Sequence, residues 1–130
     1  MAFASLDFLY LPSEDVAAEV EHFVEVLGAE LVFAIEAFGT RVAMLRLTPE
    51  PPAILLAGHL GGERPVLVHR VDDLEATMAD LEARGWERAP VFGIPHGPCC
   101  EFRTPDGHRL ALYELTRPEV EQRLVGRRDF

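Results

Sequence analysis

Residues 6–28, LDFLYLPSEDVAAEVEHFVEVLG, carry a strand, a cap, a helix and a stop in one run. Positions 6–11 form an apolar strand-like run, and Ser13 then offers a side-chain oxygen to cap a helix whose first turn holds Glu14 and Asp15. Val16, Val20, Phe23, Val24 and Leu27 recur with the rhythm of one buried helical stripe, and Gly28 supplies a left-handed stop. Residues 66–85, VLVHRVDDLEATMADLEARG, repeat the succession: a strand over 66–71, a cap at Asp72 with Glu75 three residues on, a stripe of Leu74, Met78 and Leu81, and a stop at Gly85. The spacings from Asp15 to Gly28 and from Asp73 to Gly85 agree within one residue, so the chain reads as a duplication.

Working outward, each helix is followed by three more strand-like stretches. They lie at 30–36, 41–47 and 53–57 in the first half and at 87–92, 99–103 and 109–115 in the second, separated by turns near Gly39 and Gly97 and by proline-containing turns. Each half is therefore βαβββ. GHLGGERP, 58–65, forms a glycine-rich joint. In the tail, Pro118 suits a helix's first turn, and Val120 and Leu124 give a short closing helix its apolar pair. One helix cannot cover both faces of a four-stranded sheet, so the two modules must pair, within the chain or across a dimer. The expectation is an α+β protein with one domain over 1–130: module one at 5–58, module two at 65–115 and a helical tail at 116–130. Its curved mixed sheet surrounds a central cavity, with the helices outside.

A chain of 130 residues buries roughly two-thirds of its unfolded surface in a single core. Its 48% hydrophobic and 26% charged residues are the balance of a folding domain, not of a disordered one. No apolar run reaches the roughly 18 residues that cross a bilayer, and the N-terminus has no basic region before its short apolar stretch, so no membrane association and a cytoplasmic location are expected. Cys99 and Cys100 are adjacent and cannot staple distant parts of the chain, which agrees with a reducing compartment. A net charge of −10 repels phosphate backbones, excluding nucleic acid and favouring cationic or neutral ligands. All twelve positive residues are arginine, which carries no functional reading.

The element order, the two helical runs quoted above and TPDGHRLALYEL, 104–115, together resemble the vicinal oxygen chelate superfamily: glyoxalase I, bleomycin-resistance proteins and extradiol dioxygenases. The likeness spans about residues 5–115. Thr-Pro-Asp-Gly-His, 104–108, is similar to that family's usual turn, and Pro105, Asp106 and Gly107 suit a tight reversal between strands. In metal-using members the resemblance implies His, Gln or Glu ligands on the first and last strands of each module. Here those positions fall on Phe8, Leu55, Val66 and Ala111, none of which offers a donor to a cation. A one-residue slip at Phe8 brings in Asp7 but rebuilds no chelate. No metal and no cofactor are therefore expected.

Residues in phase with the vacated ligand positions point inward: Leu6, Phe8 and Tyr10; Val66, Val68 and Arg70; Arg109, Ala111 and Tyr113. They predict an apolar, aromatic pocket edged by phenols and guanidiniums, or else a closed core filled by Phe8, Val66 and Ala111. His96, Cys99 and Glu101 have a spacing that metals use, but His96 in its Pro-His-Gly-Pro turn reads as a solvated imidazole, and by strand phase it faces away from Cys99. Cys99 reads as a small apolar core residue, His69 as a satisfied structural histidine and Trp86 as a packing anchor, while His59 stays ambiguous. Glu101 and Glu114 read as surface carboxylates, so no acid–base pair is defined. The resemblance implies a metal-independent small-molecule-binding protein, a homodimer of the bleomycin-resistance kind, that sequesters a cationic or aromatic ligand in a cavity or dimer groove. The alternatives are a lyase, isomerase or dioxygenase with a relocated metal, and a structural dimer with a collapsed pocket.

Overall fold

Both long helices start where an aspartate caps them. Asp15 accepts from the Ala18 amide at 3.1 Å to open α1, Val16–Glu25, and Asp73 accepts from the Ala76 amide at 3.0 Å to open α2, Leu74–Ala83. The expected caps, Ser13 and Asp72, are thus corrected by two residues and by one. Ser13 instead sits buried, its hydroxyl without a partner among the described residues, because β1 runs on to Pro12 and the chain must turn before the helix can begin. A second carboxylate closes the α2 terminus: Glu114 accepts from the Leu74 amide at 2.8 Å, so it is a helix cap and not a free surface group. Positive φ at Gly28 and Gly85 ends the helices as the sequence implies.

The computed structural model describes residues 3–130. Its elements follow the order β1 (Ser5–Pro12), α1, β2 (Glu30–Ala37), β3 (Thr40–Arg46), β4 (Ala53–Ala57), β5 (Val66–Val71), α2, β6 (Val91–Ile94), β7 (Gly97–Arg103), β8 (Arg109–Glu114) and α3 (Glu119–Leu124). The strand expected at 87–92 begins at Val91, since residues 86–90 lead out of the α2 turn without pairing. All eight strands form one curved mixed sheet in the order β2-β3-β4-β1-β5-β8-β7-β6. β1 runs parallel to β4 and β5 parallel to β8, whereas β1 and β5 join the halves antiparallel. Among the described residues, no helix is long and apolar enough to cross a membrane.

Where the strands are regular, side chains alternate between the sheet's two faces. Ala43 and Leu45 of β3 and Ile54 and Leu56 of β4 pack outward against Val16 and Val20 of α1, while Leu112 and Cys100 pack outward against Leu74 and Met78 of α2. Their neighbours Met44, Ala53, Ala111 and Cys99 point inward to a third cluster that no long helix covers. Leu60, from the joint between β4 and β5, and Leu124, from α3, pack against this inner cluster from the connecting segments. α3 is held from both sides. The Thr116 and Arg117 amides donate to the His96 carbonyl, and beyond the helix Gly126, Arg127 and Asp129 bond along the free edge of β2.

Candidate functional site

One irregularity in β1 shapes the inner face. Leu6 pairs with His69 and Phe8 with Val68, so Asp7 has no opposite number in β5 and forms a bulge. The extra residue turns two consecutive side chains inward: Phe8 joins the inner cluster, and Asp7 accepts a hydrogen bond from the Tyr113 hydroxyl of β8. It also shifts Leu6 onto the face of its partner His69, correcting the inward placement that strict alternation implies. Asp7 further accepts from the Ser5 hydroxyl at 2.5 Å, and its other oxygen lies 3.7 Å from the Arg70 guanidinium.

The other eight side chains that strand phase turns inward fall into three places. Val68 and Ala111 stand level with Phe8 in the middle of the face, buried with Cys99 and Met44. Tyr10, Arg109 and the buried Val66 stand level with one another towards the end where the joint 58–65 crosses. There Tyr10 contacts His59 Nε2 at 3.1 Å while the other ring nitrogen of His59 lies 3.2 Å from Thr40, and burial pushes the Tyr10 phenol up to about 12. Arg109, only 6% exposed, donates to Glu101 at 3.0 Å, to the Gly61 carbonyl at 2.7 Å and to the Arg64 carbonyl at 3.1 Å. Arg70 and Tyr113 lie at the opposite end, beside the bulge, and together with Phe8 border a cavity of about 260 Å³.

Four further groups border that cavity: Asp7, Arg46 from the end of β3, His96 from the β6–β7 turn, and Glu121 from α3, which approaches Arg46 at 3.5 Å. Apolar wall comes from Phe8, Ala53, Leu115 and Pro118. Sequence reasoning reached Asp7 only as a register slip, named His96 only as a solvated turn residue, and missed Arg46 and Glu121. A bulge has no signature in β1, and α3 is brought over the cavity by tertiary contacts alone. Arg46 did carry a signal, since it is in phase with the inward Met44.

His96 corrects its expected character. The ring is half-buried against Phe8 at 5.6 Å and Tyr113 at 6.1 Å, on the same side of the sheet as Cys99. Residues 95 and 96 form the tight turn between paired Ile94 and Gly97, so the strand alternation used to place them does not apply. Burial lowers its pKa below the ordinary 6.5, and its Nε2 is buried with no hydrogen-bond partner among the described residues. His69 is likewise not satisfied. Its ring meets Phe3 at 5.3 Å and its Nδ1 has no partner among the described residues. Burial pushes the Cys99 thiol up to about 12, which leaves it an inert packing residue. Trp86 meets Phe102 edge-on at 5.3 Å in the outer cluster, as a packing anchor.

The donor chemistry at the family's ligand positions does not fit a metal. Phe8, Val66 and Ala111 share the buried inner cluster and Leu55 packs against it, so the four converge, but on hydrocarbon. Among the described residues, no three His, Cys, Asp or Glu side chains come together elsewhere to hold an ion.

The Glyoxalase/Bleomycin resistance protein/Dioxygenase superfamily profile matches residues 5–112. No curated protein matches the chain. Among solved structures, methylmalonyl-CoA epimerase from Mycobacterium tuberculosis is 22% identical with a TM-score of 0.69, over 89% of this chain and 91% of that one. Streptomyces coelicolor methylmalonyl-CoA epimerase, as a variant in complex with 2-nitronate-propionyl-CoA, is 21% identical with a TM-score of 0.64, over 89% and 100%. A superfamily member from Vibrio splendidus 12B01 is 18% identical with a TM-score of 0.60, over 82% and 95%. At these identities the likeness is one of fold.

Proposed function

We propose, from the premise that this chain belongs to the Glyoxalase/Bleomycin resistance protein/Dioxygenase superfamily, that it binds a small organic molecule without a metal. The site is the cavity beside the β1 bulge and not the middle of the sheet. The observation that carries this reading is His96 Nε2, a buried polar atom without a partner among the described residues, in a ring that borders the cavity. Leaving such an atom unmatched costs on the order of 1–3 kcal/mol, a cost that functional sites bear more often than packed cores do.

The cavity, about 260 Å³, lies just under the roughly 300–1,000 Å³ of drug-sized sites, so the ligand is small. Phe8, Leu115 and Pro118 offer it an apolar wall, which supports an aromatic or compact aliphatic body. The superfamily's metal-dependent chemistries find no donor set at their inherited positions, and binding is the function that the remaining groups can perform unaided. A cytoplasmic homodimer is part of the same proposal, as the form in which such a protein meets a diffusible ligand.

Metal-stripped protein tests the reading by thermal denaturation against small aromatic compounds with neutral, cationic and anionic head groups. A ligand of the folded state raises the melting temperature by mass action, and the rise is expected to be the same with and without chelator. Silence across the set, a rise that chelator removes, or a stoichiometric divalent metal in the untreated protein would overturn it.

A further inference from the structure

The polar groups around the cavity do not balance. Asp7 is engaged on both oxygens, by Ser5 on one and by Tyr113 and Arg70 on the other. Glu121 already faces Arg46. Arg70 is different. Its guanidinium reaches Asp7 only through Nε at 3.7 Å, too long for a hydrogen bond, and its four terminal N–H groups have no partner among the described residues. Glu121 meets Arg46 through one oxygen only, and the neutral His96 ring leaves Nε2 to accept or donate by its tautomer, but the four terminal N–H groups of Arg70 are the larger open store. Formal charge around it is even, two guanidiniums against two carboxylates, yet hydrogen-bonding capacity is skewed towards a ligand that accepts.

We propose that the ligand is a small carboxylate, its two oxygens bidentate on the Arg70 guanidinium and its apolar body against Phe8, Leu115 and Pro118. This rests on the small-molecule reading above and adds the head group. It runs against the net charge of −10, which alone favours cations. Long-range attraction governs encounter, whereas the head group held at contact is chosen by which donors and acceptors lack partners. A guanidinium presents parallel N–H groups that match a carboxylate's two oxygens, a match no ammonium or amide can make. The bulge supplies the preorganisation: Asp7, itself held by Tyr113 and Ser5, lies beside Nε and leaves the terminal nitrogens for the ligand.

Three probes of one shape separate the possibilities: benzoate, benzamide and benzylamine, titrated by calorimetry into wild-type protein and into Arg70→Gln. Benzoate is expected to bind tightest, and Arg70→Gln to weaken it about tenfold or more while changing benzamide less than twofold. Arg70→Lys, which keeps the charge but not the fork, should recover only part of the loss. The carboxylate proposal falls if benzylamine or benzamide binds at least as tightly as benzoate, or if Arg70→Gln leaves benzoate unaffected. In the first case the small-molecule reading survives with another head group. If none of the three binds while the broader aromatic set still raises the melting temperature, only the carboxylate proposal is lost; if that set is silent too, both are.

Discussion

Arg70 and Arg109 occupy opposite ends of the same inner face, one near the end of β5 and the other at the start of β8, and strand phase treats them alike. Their surroundings do not. Arg109 is 6% exposed and spends its donors on Glu101 and on two carbonyls of the joint 58–65, locking that loop across its end of the face. Arg70 keeps 41% of its side chain exposed and offers its terminal nitrogens to a cavity. The difference teaches that a guanidinium's role follows from how many of its donors the fold has already used. One arginine is a clasp, and the other is the group we propose for ligand capture.

The largest expected effect lies at the clasp. Arg109→Met leaves Glu101 and two loop carbonyls without their donor, and should cost about 3 kcal/mol in urea denaturation, at the low end for a broken buried pair because Glu101 is partly solvated. A loss under about 1 kcal/mol would erase the contrast between the two ends. Next comes Tyr113→Phe, which removes a hydroxyl donor from the Asp7 carboxylate and is expected to cost about 1.5 kcal/mol by the same measurement. Arg70→Gln should cost less than about 1 kcal/mol, since its ion pair is long and exposed, while its effect on binding is the one described above.

The smallest effect is in pH dependence. His96 is held neutral by burial, its pKa below the ordinary 6.5, so the unfolded chain takes up a proton first as pH falls. The stability tied to the neutral ring is present above 6.5 and is lost as pH drops through the lowered folded value. His96→Phe should therefore flatten the acid limb of stability against pH by less than one proton. Parallel limbs in the two proteins would place His96 in solvent.

The scaffold was readable because its cues are local and doubled. Asp15 and Asp73, each a residue or two from the expected caps, open matching helices, Gly28 and Gly85 end them, and β8 with its Pro-Asp-Gly turn starts where it should. The convergence of Phe8, Leu55, Val66 and Ala111 was also readable, because it depends on phase within regular strands. The cavity was not. It depends on one bulge that breaks that phase at Asp7, on a turn that removes His96 from strand geometry, and on a tail whose Glu121 is brought in from far along the chain. Alternation predicts the middle of a strand and fails at its irregularities, and here the candidate site is built from the irregularities.

Where a ligand sits decides between the filled middle and the end beside the bulge. Methyl-labelled protein titrated with benzoate reports this directly. The methyls of Ala53 and Leu115 are expected to shift most, with those of Val66 and Ala111 nearly still. Shifts concentrated at Val66 and Ala111, with Ala53 and Leu115 unmoved, would return the site to the inherited centre of the sheet and contradict the account.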